Sequence, residues 1–220
     1  MTAYDLSTTT GRLTAVADMT FRDHAFLRLW WQNAHWISDE MMRTNQPWPF
    51  QIRARARAGI KTIINLRGGI GTSFHQLERD ACERAGIALE NWTVTSRGAP
   101  TIEQVRGAKD LFQRIAYPAL MHCKSGADRA GLMSVLYLHL RKGEPIDKAI
   151  RMLSLRYGHV RAGMTGIIDH FFEQYLALGA PKGLSLLEWM ERDYDPVKLK
   201  SEFRAGWWGN VLVDKILRRE

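Results

Sequence analysis

Lys61-Thr62-Ile63-Ile64-Asn65-Leu66-Arg67 is a short, β-branched run closed in by Gly59 on one side and by Gly68-Gly69 on the other. Its length, its branching and its glycine boundaries read as a buried strand. Helical sequence flanks it: Pro47 to Ala58 ends at Gly59, and Ser73 to Ala85 starts at Thr72 or Ser73 and ends at Gly86. A second strand is expected over Ile87 to Thr95, a helix over Thr101 to Ile115, and a third strand over Tyr117 to Cys123. Ile37 to Arg43 is a candidate for a further strand. Strands that alternate with helices of this length predict an α/β fold, a central and largely parallel sheet flanked by helices.

After Cys123 the pattern turns helical, over Arg129 to Arg141, Ile146 to Tyr157, Thr165 to Leu178 and Leu184 to Arg192. Residues 1–20 are rich in threonine and interrupted by Asp5, Arg12 and Asp18, which reads as a mobile N-terminal arm. Residues 21–194 read as one domain. Residues 195–220, with Trp207, Trp208, Val211, Leu212, Ile216 and Leu217 among Lys and Arg, read as an amphipathic extension.

With 220 residues, 45% hydrophobic and 25% charged, the chain suits one domain with extensions and excludes a wholly disordered, collagen-like or coiled-coil protein. Its 31 Lys and Arg exceed its 23 Asp and Glu by 8, which favours an anionic partner: nucleic acid, acidic lipid or a phosphorylated substrate. Two cysteines, Cys82 and Cys123, can form at most one bridge, so a reducing, cytoplasmic setting is expected and a reactive thiol is available. No run approaches the roughly 18–20 apolar residues of a spanning helix.

The chemistry is concentrated in His122-Cys123-Lys124-Ser125-Gly126-Ala127-Asp128-Arg129-Ala130-Gly131, between an expected strand and an expected helix. Successive N–H groups from Lys124, Ser125, Gly126, Ala127 and Asp128 are placed to wrap an oxyanion, and the start of the next helix adds positive partial charge. The same surroundings favour a thiolate as nucleophile. Arg129 offers planar, paired donors to two phosphate oxygens, which a lysine ammonium cannot.

His122-Cys123-x-x-Gly126-x-x-Arg129 resembles the signature of the cysteine-dependent protein tyrosine and dual-specificity phosphatases. Upstream, Arg43-Thr44-Asn45-Gln46-Pro47 and Gly59 to Arg67 are similar to the bacterial dual-specificity-like members. The resemblance implies a phosphatase domain and a metal-independent, two-step hydrolysis of phosphomonoesters through a cysteinyl-phosphate, with no cofactor. Cys123 would attack phosphorus, and Arg129 with the loop amides would bind the phosphoryl oxygens. The default substrate is a phosphorylated protein; a phosphorylated lipid or inositol headgroup stands as an alternative, and a catalytically weak phospho-binding module as another.

Two departures bear on the mechanism. Family members take the leaving-group proton from an aspartate on a separate loop, but Asn91 to Pro100 contains no carboxylate. Asp128, placed as in myotubularin-type lipid phosphatases, becomes the candidate acid; its rival role is to hold the loop, and Glu90 is a reserve. Relatives also carry Ser or Thr where this chain has Ala130, so breakdown of the intermediate is expected to be slow unless Ser125 compensates.

Lys124 could contact a second anionic group, and Arg97, His159 and Arg161 are candidate substrate contacts. His122 is expected to act on Cys123 through the backbone and not as a base. Cys82 is expected in the core. The histidines are too scattered for a metal site, and no groove-reading motif supports nucleic-acid binding. Eight tryptophans, several beside basic residues, raise peripheral contact with the inner membrane surface.

Overall fold

Residues 4–205 are described by the computed structural model. The chain begins with α1 (Thr9–Phe21), whose N-terminus is capped by the Thr8 hydroxyl accepting the Gly11 N–H at 3.1 Å. This corrects the expected mobile arm. Ala15 and Met19, one helical turn apart, are buried with Ala25 and Leu77 against Trp48 and Phe74. Arg12 is paired to Asp80 at 2.8 Å. The threonines that made the segment look polar lie on the other faces of a helix with a narrow apolar stripe.

A single turn, α2 (Leu27–Trp30), leads to β1 (His35–Trp36) and β2 (Met41–Asn45). The expected strand over Ile37 to Arg43 is thus shifted toward the C-terminus. The Ser38 hydroxyl accepts the N–H groups of Glu40 and Met41 at 3.2 and 3.1 Å, holding a turn where the strand was placed. Next comes α3 (Pro49–Arg57), with proline in its first turn and Gln51 accepting the Trp48 N–H at 2.8 Å.

The run at Lys61 to Arg67 forms β3 (Thr62–Asn65), with all four residues buried. It is followed by α4 (Ser73–Ala85), which ends at Gly86 in the left-handed conformation (φ 68°) that a side chain would resist. Then come β4 (Ala88–Asn91), α5 (Ile102–Arg114), β5 (Ala119–Cys123) and α6 (Asp128–Leu140). The five strands lie in the order β1-β2-β5-β3-β4, with β1 antiparallel and the rest parallel. This is the mixed α/β, mostly parallel architecture that the sequence predicts.

Two compact units partition the chain: residues up to Val94 with Arg114–Ala130, and Thr95–Gln113 with the residues from Gly131 onward. The first holds the whole sheet with α1, α3 and α4. Ile52 of α3, Ala81 and Cys82 of α4, and Met42, Ile63 and Leu120 of the strands make one buried cluster.

The second unit holds α7 (Ile146–Ala149), α8 (Ile167–Gln174) and α9 (Leu186–Arg192). The single helix expected over Ile146 to Tyr157 is broken by Ser154, which is extended (φ −149°, ψ 162°), leaving α7 and two 3-10 turns. Residues 196–205 are helical, with Leu199 buried and Gln174 bonded to Glu202 at 2.7 Å, so the expected extension starts as a packed element. Trp207 and Trp208, with the rest of the amphipathic pattern, lie outside the described residues.

The burial of Met19 sets a test of α1. Met19→Ala should cost about 2–3 kcal/mol, within the range for truncating a buried methionine. Urea denaturation measures it; a mobile arm would give no loss.

Candidate active site

Register places the ends of three strands at one level. Asn45 of β2 lies opposite Cys123 of β5, and Asn65 of β3 opposite His122. The chain leaves β5 at Cys123, crosses Lys124 to Ala127 and enters α6 at Asp128, so the loop sits at the carboxyl edge of the parallel strands, where α/β folds place ligands. Gly126 is fixed there for two reasons. Its φ is +75°, and a Cβ would lie 2.7–2.8 Å from the backbone of Thr44 and Asn45.

The loop's shape is set from behind. Gln46 N–H donates to the Lys124 carbonyl at 3.4 Å, Asn33 Nδ2 to that of Ser125 at 3.0 Å, and Arg43 Nη2 to those of Gly126 and Ala127 at 2.7 and 2.9 Å. A planar trans peptide points its N–H opposite to its C=O. Four carbonyls held toward the body of the protein therefore turn the following amides toward the loop's concave side, a nest for an anion. The Ala127 amide is also within 3.4 Å of the Ser125 hydroxyl. Arg43 is fully buried, so its guanidinium belongs to the scaffold and not to the ligand side.

Arg129 lies in the first turn of α6, and its Nη1 donates to the Arg67 carbonyl at 3.3 Å. Arg67 is itself held: it donates to both oxygens of Asp23 and to Gln46 Oε1 (2.6 Å), and its guanidinium lies 3.6 Å over the Phe74 ring. Asp23 also takes Arg28 at 2.9 Å and Lys124 at 3.2 Å. Burial pushes the Asp23 carboxyl up, but the hydrogen bonds and charges of Arg67 and Arg28 outweigh it and hold the group down at about 2. Asp23 is therefore a permanent carboxylate, able to anchor cations and unable to supply a proton near neutrality.

A second polar chain runs beneath Cys123. Gln46 Nε2 donates to Glu78 at 3.3 Å, and the other Glu78 oxygen lies 2.6 Å from His122 Nε2, both side chains being buried. The ring of His122 thus faces Glu78. Cys123 is buried at 2% exposure. Asp128 is the first residue of α6.

Cys123, Lys124, Ser125, Gly126, Ala127, Asp128 and Arg129 fall in the first unit; Arg97, His159 and Arg161 fall in the second. His159 is corrected as a substrate contact: it is 2% exposed, and its Nε2 lies 2.7 Å from Asp169. Arg161 is exposed and paired with Glu173 at 2.7 Å, and Arg97 is exposed in a bend. Glu90, the reserve acid, is held by both arms of Arg114 at 2.8 and 2.7 Å. Cys82 is buried in the core, where burial raises its thiol pKa and leaves it inert. Both cysteines are free.

Sequence reading missed Asn33, Arg43, Gln46 and Asp23 as parts of the site. The motif stretch Arg43 to Pro47 was a signal, but nothing in one sequence says that its arginine faces a loop some eighty residues away.

Residues 45–163 match the family described as DSP-PTPase phosphatase fused to NAD+ kinase. Among solved structures, the active form of Tk-PTP is 19% identical with a TM-score of 0.51, over 66% of this chain and 99% of that one. TpbA of P. aeruginosa is 15% identical with a TM-score of 0.53, over 73% and 92%. At these identities the likeness is one of fold. No curated protein matches the chain.

Asp23 sets a test by pH. Its folded value, about 2, lies below the ordinary 3.8, which corresponds to about 2 kcal/mol of stability. That contribution is complete above about pH 5 and is lost as pH falls toward 2. The stability gap between wild type and Asp23→Asn, from urea melts at stepped pH, should be constant above about pH 5 and shrink by about 2 kcal/mol toward pH 2. A gap independent of pH would contradict the assignment.

Proposed function

The chain belongs to the family of DSP-PTPase phosphatases fused to NAD+ kinase, and on that premise we propose that it hydrolyses phosphomonoesters without a metal, through a cysteinyl-phosphate on Cys123. The observation that carries this reading is the loop itself: four carbonyls bonded away from the concave side, with Cys123 and Arg129 at its two ends.

In the first step the Cys123 sulfur anion attacks phosphorus, an S–P bond forms, and the P–O bond to the leaving group breaks. Loop amides and the Arg129 fork bind the equatorial oxygens while charge builds on them. The leaving oxygen takes its proton from Asp128. In the second step water attacks phosphorus, gives its proton to the Asp128 carboxylate, and expels the Cys123 thiolate with release of inorganic phosphate. Lys124, in the loop itself and held at 3.2 Å from Asp23, supplies a second cation.

Arg97 and Arg161 are retained only as exposed cations with no assigned role. A binding module that captures a phosphoryl group and releases it slowly is the second reading, and it is favoured by Ala130, a fully buried side chain with no hydroxyl beside Arg129. The two readings part on turnover.

Cys123→Ser should keep phosphate affinity within a few-fold and reduce aryl-phosphate hydrolysis to background. Turnover by wild type no faster than by this variant would leave only the binding module.

Asp128→Asn should lower kcat/KM, which reports the first step alone, by about 100-fold on a phosphate ester with a basic leaving group and leave that of an activated aryl ester nearly unchanged. It should also remove one limb of the pH–rate profile for the basic leaving group. Equal losses on both esters would make Asp128 a loop-holding residue.

A further inference from the structure

The segment just before the phosphate loop's scaffold carries an apolar surface that phosphoryl transfer does not use. Trp30 is 90% exposed, and Phe26, Leu27, Leu29, Trp31 and Phe50 are exposed beside it in the sequence or on the neighbouring helix. Large apolar side chains gathered in this way are unfavourable in water and mark a contact surface.

This segment is not loose chain. Ala25 O accepts the Trp48 indole N–H at 3.1 Å, Trp31 O accepts Asn45 Nδ2, and Gln32 O accepts Asn45 N–H at 3.1 Å and the Thr44 hydroxyl at 2.8 Å. Arg28, in its middle, turns inward to Asp23 and is 6% exposed, so the outward side is left to Leu27, Leu29 and Trp30. The fold thus removes the charge and displays the indole.

The surroundings are cationic. No acidic residue occurs between Met41 and Leu77, and α3 presents Arg53 and Arg57 exposed and Arg55 half-exposed, its Nη2 reaching Gln32 Oε1 at 3.5 Å. Exposed indoles beside arginines are the composition of a face that sits at the headgroup level of an anionic bilayer.

We propose that this face, built on Leu27, Trp30, Trp31 and Phe50 with Arg53 and Arg57, docks the protein on a membrane surface bearing anionic lipid. Asn33, two residues past Trp31, holds the Ser125 carbonyl, so the docking face adjoins the phosphate loop. Resting on the phosphatase reading, docking brings that loop to phosphomonoesters displayed on lipid headgroups.

The test is sedimentation with vesicles of phosphatidylcholine alone and with about a third phosphatidylglycerol. Wild type and Cys123→Ser should bind the anionic vesicles equally and the neutral ones at least tenfold more weakly. Leu27→Ser/Trp30→Ser should lose at least tenfold in vesicle binding while hydrolysing a soluble aryl phosphate as wild type does. Arg53→Glu/Arg57→Glu should lose the preference for anionic lipid. No binding by wild type, or full binding by the Leu27→Ser/Trp30→Ser variant, overturns the proposal. So does a dimer, seen by sedimentation velocity, that Trp30→Ser dissociates, since the face would then be covered by a second copy. Vesicle binding without aryl-phosphatase activity would sink the catalytic reading and leave docking intact.

Discussion

The peptide carbonyls of Lys124, Ser125, Gly126 and Ala127 are bonded to donors on Gln46, Asn33 and Arg43. A short loop cannot offer successive N–H groups to one point unless its carbonyls are satisfied elsewhere, because unpaired buried carbonyls are costly and would turn the chain back on itself. Much of the first unit follows from this constraint. β2 must lie beside β5 in register, so that Arg43 and Gln46 reach the loop. Asn33 must take its positive φ of 48°, which asparagine tolerates better than most residues. Gly126 must lack a side chain, because the backbone of Thr44 and Asn45 occupies the space.

The same neighbourhood sets the charge. One carboxylate, Asp23, is shared by Arg28, Arg67 and Lys124. Within this cluster three cations share one carboxylate, a local excess of positive charge before Arg129 is counted. That excess favours an incoming dianion, while the buried carboxylate keeps the cations in fixed places. Position and charge are thus supplied by different residues: Asp23 orders Arg67, and Arg67 gives its carbonyl to Arg129.

Local features of this design were legible in the sequence. β3, the span of α4 and the boundary at Gly86 follow from branching, periodicity and a left-handed cap, all properties of adjacent residues. The loop was legible because its function needs fixed residue types at fixed spacing. Asn33, Arg43 and Asp23 were not, because their roles depend on partners some forty to one hundred residues away, and no local rule distinguishes a buried arginine on carbonyls from a surface one. His159 failed for the complementary reason: a cationic cluster in sequence does not reveal that its histidine is turned inward to Asp169. α1 was missed because its buried stripe is only Ala15 and Met19 among threonines.

Arg129 has five N–H donors, and among the described residues its hydrogen bond is a single one, to the Arg67 carbonyl. A carboxylate partner would neutralise the fork and compete with a phosphate for both of its arms. A lone carbonyl fixes the direction of the side chain, leaves its charge whole and leaves most donors uncommitted. Asp23, the carboxylate that orders Arg67, is satisfied by Arg28, Arg67 and Lys124, so it stays with them. The scaffold arginines Arg43 and Arg67 thereby spend their donors on the protein, and Arg129 is the guanidinium whose donors remain for an oxyanion. This division of labour explains why a site so rich in arginine can still present one specific fork to a ligand.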